Sequence, residues 1–362
     1  MVKKILLLVM VLCVMASAVA PVHAAGNLKL LSSSAEVSFP QSINFKISAQ
    51  SDVKITDIRL QYSIDMLGFA KVVNETYISF QSATKVDTQW KWDLTRIGGL
   101  PPGTTINYQW LLKDANGNSL KSSLTEVKFD DGNHPWKSIV QDKVTLYWYD
   151  GNQAFGQTLM QSTQDALTRL AANTGAMIKD PIRLYIYANQ SDLLGSMIFP
   201  QEWSGGVAFT SYGCIAIGIA SSNLDWGKGA IAHELTHLIT AQMTLNPYNG
   251  LPTWLDEGLA MYNQGPLDIS FTISLNNAIQ AKTLITVRTL SSPFSTDAGI
   301  SYLDYAESYG IVSYLITTYG KDKMAALEST FQQGSTYDGA LQKVYGFNMD
   351  GLNTRWQATL TK

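Results

Sequence analysis

The chain has 362 residues, of which 46% are hydrophobic and 15% are charged, and its formal net charge is −3. This composition excludes a wholly disordered chain, and the absence of a basic patch argues against a nucleic-acid partner. Only four histidines are present, so any clustering of them is informative.

Residues 1–24 have the pattern of a secretory signal peptide. Lys3 and Lys4 precede an apolar run over residues 5–20, and small residues surround the expected cleavage site after Ala24. The run is shorter than the roughly 18 residues of a spanning helix, and no later run is longer. We therefore expect a protein that is secreted, periplasmic or held at the cell surface, without stable membrane insertion.

The cysteine content is consistent with an exported protein, but it allows no internal disulfide. Cleavage would remove Cys13 and leave Cys214 alone, in an apolar stretch where a small buried residue is expected. Loss of two lysines would also lower the formal net charge to about −5.

Residues 25–132 are predicted to form an all-β domain. Apolar and polar residues alternate in "INFKI" (43–47), "WKWDL" (90–94) and "INYQWLL" (106–112), and Asn116-Gly117 is a pair typical of hairpin turns. Several short strands in about 100 residues predict a sandwich of the immunoglobulin or fibronectin kind. Its role stays open between positioning substrate, docking on the cell envelope and covering the next domain.

The pattern changes after a turn-rich boundary at 130–136, where His134 is interpreted as a solvated linker residue. Residues 136–264 mix strands with helices, which indicates an α+β unit, and residues 265–362 are mostly helical. In this region we predict strands at 144–150, 182–188, 207–210 and 214–220, and helices at 157–173 and 226–242.

The stretch "HELTH" contains the candidate metal ligands. His233 and His237 are four residues apart, so on a helix their imidazoles lie on one face and can converge on one ion. Glu234 flanks that face. Two imidazoles supply two ligands of a tetrahedral zinc site, and a third ligand should be another histidine or a carboxylate.

A short polar connection leads from this helix to "LPTWLDEGLAMY" (251–262), which predicts a second helix. Pro252 suits its first turn, and Thr253 and Asp256 have the spacing of a capping box. The short connection lets this helix return beside the first and bring Glu257 to the two histidines. A site with two histidines and one glutamate leaves one zinc position open.

"HELTH" followed by "WLDEGLA" resembles the gluzincin zinc peptidases and, more narrowly, the peptidase MA-like family, over a region from about Trp136 to the C-terminus. The resemblance implies a zincin-like domain over 136–264 with a helical C-terminal subdomain over 265–362. It implies that His233, His237 and Glu257 bind one zinc ion per chain. It also implies a sheet whose edge strand holds an extended peptide, for which "CIAIGIA" (214–220) is the candidate.

The same resemblance assigns the chemistry. Glu234 is expected to act as the general base, and a tyrosine early in a downstream helix is expected to stabilise the oxyanion. "YAES" places Tyr305 at the matching position, with Ser308 where the family has glycine, and Tyr309 is the fallback.

These residues predict an exported zinc metallopeptidase that acts on protein or peptide substrates. Related aminopeptidases have a glycine-rich segment with a glutamate, whereas "GGVAFTSYG" (205–213) lacks one, which favours an endopeptidase. Two other classes are considered: a surface adhesion protein with a metallopeptidase-like scaffold, and a domain stabilised by structural zinc. An intact Glu234 argues against the first, and a set of only three ligands argues against the second. The sequence leaves the oligomeric state open.

Overall fold

A computed structural model describes residues 27–200 and 204–360. The predicted signal peptide lies outside these residues. The described part is mixed α+β, with β-sheets in its N-terminal half and mostly helices towards its C-terminus. None of the described helices is both long and apolar enough to span a membrane.

Eight antiparallel strands form the N-terminal sandwich. They are β1 (Lys29–Ser38), β2 (Ser42–Gln50), β3 (Ile55–Ile64), β4 (Asn74–Tyr77), β5 (Lys85–Asp93), β6 (Thr104–Asp114), β7 (Ser119–Lys121) and β8 (Thr125–Phe129). One sheet has the order β1-β2-β5, and the other has the order β4-β3-β6-β7, with β8 also paired to β6.

Alternation along the strands builds the core between the two sheets. In β2, Ile43, Phe45 and Ile47 are buried while the residues between them are only half-buried. They pack against apolar side chains of the opposite sheet, including Trp110 of β6. Gly117 adopts a φ of +83° in the β6–β7 hairpin, so the predicted turn is confirmed.

A third sheet, of five strands, follows the sandwich. The strands are β9 (Lys137–Gln141), β10 (Val144–Trp148), β11 (Ile182–Tyr187), β12 (Gly206–Phe209) and β13 (Cys214–Gly218). The order is β12-β13-β11-β10-β9, and β10, β11 and β13 run parallel to one another. At the ends, β9 and β12 are antiparallel to their neighbours. The prediction that residues 214–220 form the edge was therefore wrong, because β12 covers that side of β13.

The helices cover this sheet and continue beyond it. They are α1 (Gln153–Thr174), α2 (Gln190–Gly195), α3 (Leu224–Thr244), α4 (Thr253–Gln264), α5 (Ile269–Ala281), α6 (Ala298–Tyr319), α7 (Lys321–Gln332), α8 (Tyr337–Tyr345) and α9 (Met349–Leu360). Helices α1 and α3 pack on one face of the sheet. Trp148, Leu159 and Leu235 are fully buried in the core between the helices and the sheet. The C-terminal helices enclose a separate core around Trp254 and Trp356.

The linker between the sandwich and the third sheet is packed rather than solvated. The ring of His134 stacks on Tyr149 with centroids 4.1 Å apart, and it meets Trp136 edge-on. The interpretation of His134 as a solvated linker residue was therefore wrong. Contacts also cross between the two parts elsewhere, because the backbone N–H of Leu67 donates to the carbonyl of Ser211 at 2.6 Å. The residue limits given above for the domains remain predictions.

Candidate metal centre and active site

Helix α3 presents two imidazoles on one face. Its opposite face is apolar, and Leu235, Leu238 and Ile239 are fully buried, which fixes the rotation of the helix. The side chains of His233 and His237 remain 15% and 11% exposed, and their Nε2 atoms lie 3.2 Å apart.

Helix α4 brings a carboxylate to the same point. Oε2 of Glu257 lies 3.3 Å from Nε2 of His233 and 3.3 Å from Nε2 of His237. Asn263 ties α4 to α3, because its buried amide donates to Oγ1 of Thr236 at 2.9 Å. The short connection between the helices therefore returns α4 beside α3, as the sequence predicted.

These three atoms have the geometry of a metal site. Among the described residues, His233, His237 and Glu257 form a group able to hold a metal ion. Zinc ligands lie about 2.0–2.1 Å from the ion, so neighbouring ligand atoms of a tetrahedron are about 3.3 Å apart. The buried Oε2 atom of Glu257 also lacks an aligned hydrogen-bond donor in the described part of the chain. Two imidazole nitrogens and one carboxylate oxygen at this spacing fit a zinc ion.

We call His233, His237 and Glu257 the metal triad. The charges in and around it shift the pKa values of His237 and Glu257. Burial lowers the pKa of His237, but the nearby carboxylates of Asp256 and Glu257 outweigh it and hold the pKa well above its usual value. Burial favours a raised pKa for Glu257, but the attraction of His237 and His233 holds its pKa far below the usual range. The pocket therefore favours a positive charge beside Glu257.

Asp256 contacts the outer nitrogen of a histidine. Its Oδ2 atom lies 3.0 Å from Nδ1 of His237, and its Oδ1 atom accepts from Oγ1 of Thr240 at 3.3 Å. The predicted capping box is absent, because α4 begins after Pro252 without a side-chain cap. The sequence assigned Asp256 to that cap and so missed its contact with His237. The position of Asp256 next to the predicted ligand Glu257 was the available sign that it contacts a metal-binding histidine.

Glu234 lies between α3 and the edge strand β12. A Cβ atom built on Gly206 would be 2.9 Å from Oε1 of Glu234, so a side chain at this position would displace the carboxylate. The backbone N–H of Ala208 donates to the same carboxylate. Burial raises the pKa of Glu234, while the adjacent His233 and His237 act in the opposite direction.

The structure separates the two candidate tyrosines. Tyr305 lines the cavity above the triad, and its ring centroid lies 6.2 Å from that of His233. Tyr309 instead faces Tyr262 and lines a different groove. Burial and the carboxylates of Glu257 and Glu234 raise the pKa of Tyr305 well above its usual value, so its phenol keeps the proton that it could donate.

The close packing of α6 on α4 determines the position of Tyr305. A Cβ atom on Gly258 would lie 2.5 Å from the carbonyl oxygen of Ser308 and 2.6 Å from Cγ2 of Val312. Glycine after Glu257 therefore lets α6 pack directly on α4, which brings the N-terminal half of α6 over the metal triad.

The triad opens into a cavity of about 520 Å³. The edge strand β12, the segment 196–200 and the sandwich residues Gly98–Leu100 form its other walls. Of the described residues that line it, none is lysine or arginine, and the acids are Glu234, Asp256 and Glu257.

A known protein family matches the region of the chain that holds this site. The family model described as "Peptidase MA superfamily" matches residues 162–362. The chain belongs to the peptidase MA superfamily. The match contains His233, Glu234, His237 and Glu257, and it begins about 26 residues after the start expected from the sequence.

Solved structures have only low similarity to this peptidase MA superfamily chain. OgpA from Akkermansia muciniphila is 11% identical with a TM-score of 0.23, and the match covers 30% of each chain. The M1 zinc metallopeptidase from Deinococcus radiodurans is 12% identical with a TM-score of 0.38, over 88% of this chain and 89% of that one. Aminopeptidase A from Legionella pneumophila is 10% identical with a TM-score of 0.41, over 91% and 50%. The chain thus spans about three tenths of the OgpA structures. Curated protein sequences give no match.

Proposed function

We propose that this chain is a zinc-dependent endopeptidase that works outside the cytoplasm. The observation that carries the proposal is the convergence of His233, His237 and Glu257, whose ligand atoms lie 3.2–3.3 Å apart at the floor of an open cavity. Glu234 lies beside them without being part of the triad, as a general base must.

Each residue of the site has its own role in the proposed reaction. Zinc bound by the triad would supply a water with a pKa of about 7 and would polarise the scissile carbonyl. Glu234 takes a proton from the attacking water and delivers it to the leaving amine. Tyr305 donates a hydrogen bond to the carbonyl oxygen as negative charge develops there. Asp256 fixes the orientation of the His237 ring.

The edge strand supports binding of an extended peptide. Among the described residues, β12 pairs with β13 on one side only, so its other side can pair with a substrate backbone. Glu234 lies below this strand, next to Gly206. A peptide added to β12 would therefore pass over both the base and the metal triad.

The charges around the cavity favour an endopeptidase over an exopeptidase. Asp256 contacts His237, Glu257 belongs to the triad, and Glu234 is the base, so none of these acids is free to bind a substrate's α-amine. No described lysine or arginine lines the cavity to bind a terminal carboxylate. We infer that recognition rests on the peptide backbone and on apolar side chains.

Export is the second part of the proposal. It rests on Lys3, Lys4 and the apolar run over residues 5–20. Expression of the full chain in a secreting host, followed by N-terminal sequencing, should give Ala25 as the first residue. A mature protein that retains Met1 would contradict the proposed export.

The catalytic proposal is tested with Glu234→Gln, with the exposed Glu126→Gln on β8 as a matched control. Both variants and the wild type should hold about one zinc per chain. Only Glu234→Gln should lose peptide hydrolysis, by at least ~10²-fold in kcat. A chelator should abolish hydrolysis in the wild type, and zinc should restore it. Equal activity of Glu234→Gln and the wild type would refute the assigned mechanism.

A further inference from the structure

One wall of the cavity comes from the N-terminal sandwich. After β5 the chain makes a short 3-10 helix, Leu94–Ile97, which Asp93 caps by accepting from the N–H of Thr95 at 3.1 Å. Gly98 and Gly99 follow with φ values of +81° and +89°, and the next residue, Leu100, is only 4% exposed. Two buried leucines therefore anchor a turn that only glycines form easily. We call Gly98–Leu100 the sandwich turn.

The peptidase part of the chain holds the sandwich turn in place. A Cβ atom on Gly99 would lie 3.0 Å from Cγ1 of Ile198, so the backbone of the turn touches that side chain directly. Just beyond the turn, the Cys214 thiol lies 3.6 Å from the carbonyl of Pro102 and donates to it. The hydroxyl of Tyr185 packs against Gly103. The turn is therefore a fixed wall of the cavity.

The adjoining wall is apolar. Met197, Ile198 and Phe199 line the cavity beside the turn, with Ile198 against Gly99. Phe199 is 78% exposed and has a φ of +56°, a conformation that is rare for a bulky side chain. A large ring is thus presented at the cavity mouth although burial does not hold it there. Such outliers concentrate where a ligand is bound.

We propose that the sandwich turn and residues Met197–Phe199 form a specificity subsite that accepts one large apolar side chain of the substrate, such as phenylalanine or leucine. This inference rests on the proposed endopeptidase function. Gly98 leaves the space that the substrate side chain fills, because a Cβ atom there would meet no atom within 4 Å, whereas Gly99 lets the turn pack on Ile198. Met197, Ile198 and Phe199 give this wall an apolar surface, and packing a large apolar side chain against it removes apolar area from water.

The test measures cleavage of peptides in which each position near the cleaved bond carries Phe, Ala or Glu in turn. Wild-type protein should show one position at which Phe exceeds Ala by about 10–100-fold in kcat/KM, the discrimination typical of an apolar pocket. Gly98→Asn keeps a left-handed turn accessible but fills the subsite. It should lower the ratio of Phe to Ala at that position alone, mainly by raising KM for the Phe peptide.

Gly117→Asn is the matched control, because Gly117 also has a positive φ, meets no atom within 4 Å and lies in a hairpin away from the cavity. It should keep the wild-type ratio. Phe199→Ala is a second, independent variant and should also lower the ratio at the same position. If the wild type cleaves no peptide, the proposed function fails. If it cleaves peptides but neither Gly98→Asn nor Phe199→Ala changes the ratio at any position, the subsite alone is overturned.

Discussion

Gly206 and Glu234 are in direct contact: the position that a Cβ atom would take on residue 206 is 2.9 Å from Oε1 of Glu234 and 3.0 Å from its Cγ atom. Gly206→Ala should therefore push the carboxylate away from the cavity floor. We expect kcat to fall by about 10-fold or more, because the base loses its alignment with the water, while zinc content stays at one per chain. Steady-state kinetics and metal analysis of the same preparation check this prediction.

Gly132→Ala serves as the comparison, since a Cβ atom at the exposed Gly132 would meet no atom within 4 Å. It should behave as the wild type in both measurements. A Gly206→Ala protein with wild-type kcat would show that the base does not depend on this contact.

The residues at the metal triad were predictable because their relationship is local. A separation of four residues on one helix places His233 and His237 on the same face, and a short connection brings Glu257 back to them. The edge strand was not predictable in this way. Residues 206–209 and 214–218 are both short and apolar, and only their pairing decides which is outermost. Strand β13 is interior because it also pairs with β11, and periodicity along the chain carries no information about that non-local pairing.

Asp256→Asn should weaken metal binding. The carboxylate lies 3.0 Å from Nδ1 of His237, where it orients the ring and raises its basicity as a ligand. Removal of its charge should raise the Kd for zinc by about 10–100-fold. Competition with a chromophoric zinc chelator measures this effect without reference to activity.

Asp268→Asn is a suitable control for that titration, because Asp268 precedes another helix, α5, without a side-chain cap bond. Its zinc affinity should equal that of the wild type. Unchanged affinity in Asp256→Asn would mean that the contact with His237 does not support the metal site.

Gly258→Ala should destabilise the protein and also disturb the site. The added methyl group would overlap the carbonyl of Ser308 and the side chain of Val312, so α6 must move away from α4. Overpacking of this kind costs about 1–3 kcal/mol of unfolding free energy. Because Tyr305 lies on α6, kcat should fall as well. Urea unfolding and steady-state kinetics report the two effects.

Gly250→Ala provides the contrast, since a Cβ atom on Gly250 would meet nothing within 4 Å. It should leave stability unchanged or raise it by less than about 1 kcal/mol. Equal stability of Gly258→Ala and the wild type would show that α6 adapts without strain.

The sandwich turn shows a second limit of sequence reasoning. "RIGGLPPG" (96–103) has the composition of a turn, and nothing in it indicates contact with residue 198 about a hundred positions away. The same holds for Glu328 and Tyr345, which lie on separate helices: burial raises the pKa of each, to about 8 for Glu328. A helix pattern predicts that a face is buried but does not identify the charged group enclosed with it.

Glu328 gives the protein a pH-dependent stability. Its side chain is 2% exposed, and neither carboxylate oxygen has a hydrogen-bond partner among the described residues. Burial raises its pKa from 4.5 to about 8. Below about pH 4.5 the folded and unfolded states both hold the proton, so this group adds no pH dependence. Between about pH 4.5 and 8 only the folded state holds it, so the free energy of unfolding falls as the pH rises.

Glu328→Gln should remove this dependence while keeping the shape of the side chain. Relative to the wild type, it should gain little stability at pH 4.5 and progressively more up to pH 8, to a limit of about 5 kcal/mol, because each pKa unit corresponds to about 1.4 kcal/mol. Urea unfolding of the metal-free proteins across this range measures the difference, and the titration of the metal triad cancels between the two proteins. Glu126→Gln, on the exposed surface of β8, should show a difference that does not grow with pH. A constant offset between Glu328→Gln and the wild type would mean that Glu328 is already ionised in the folded protein, which requires a buried cation or water beside it.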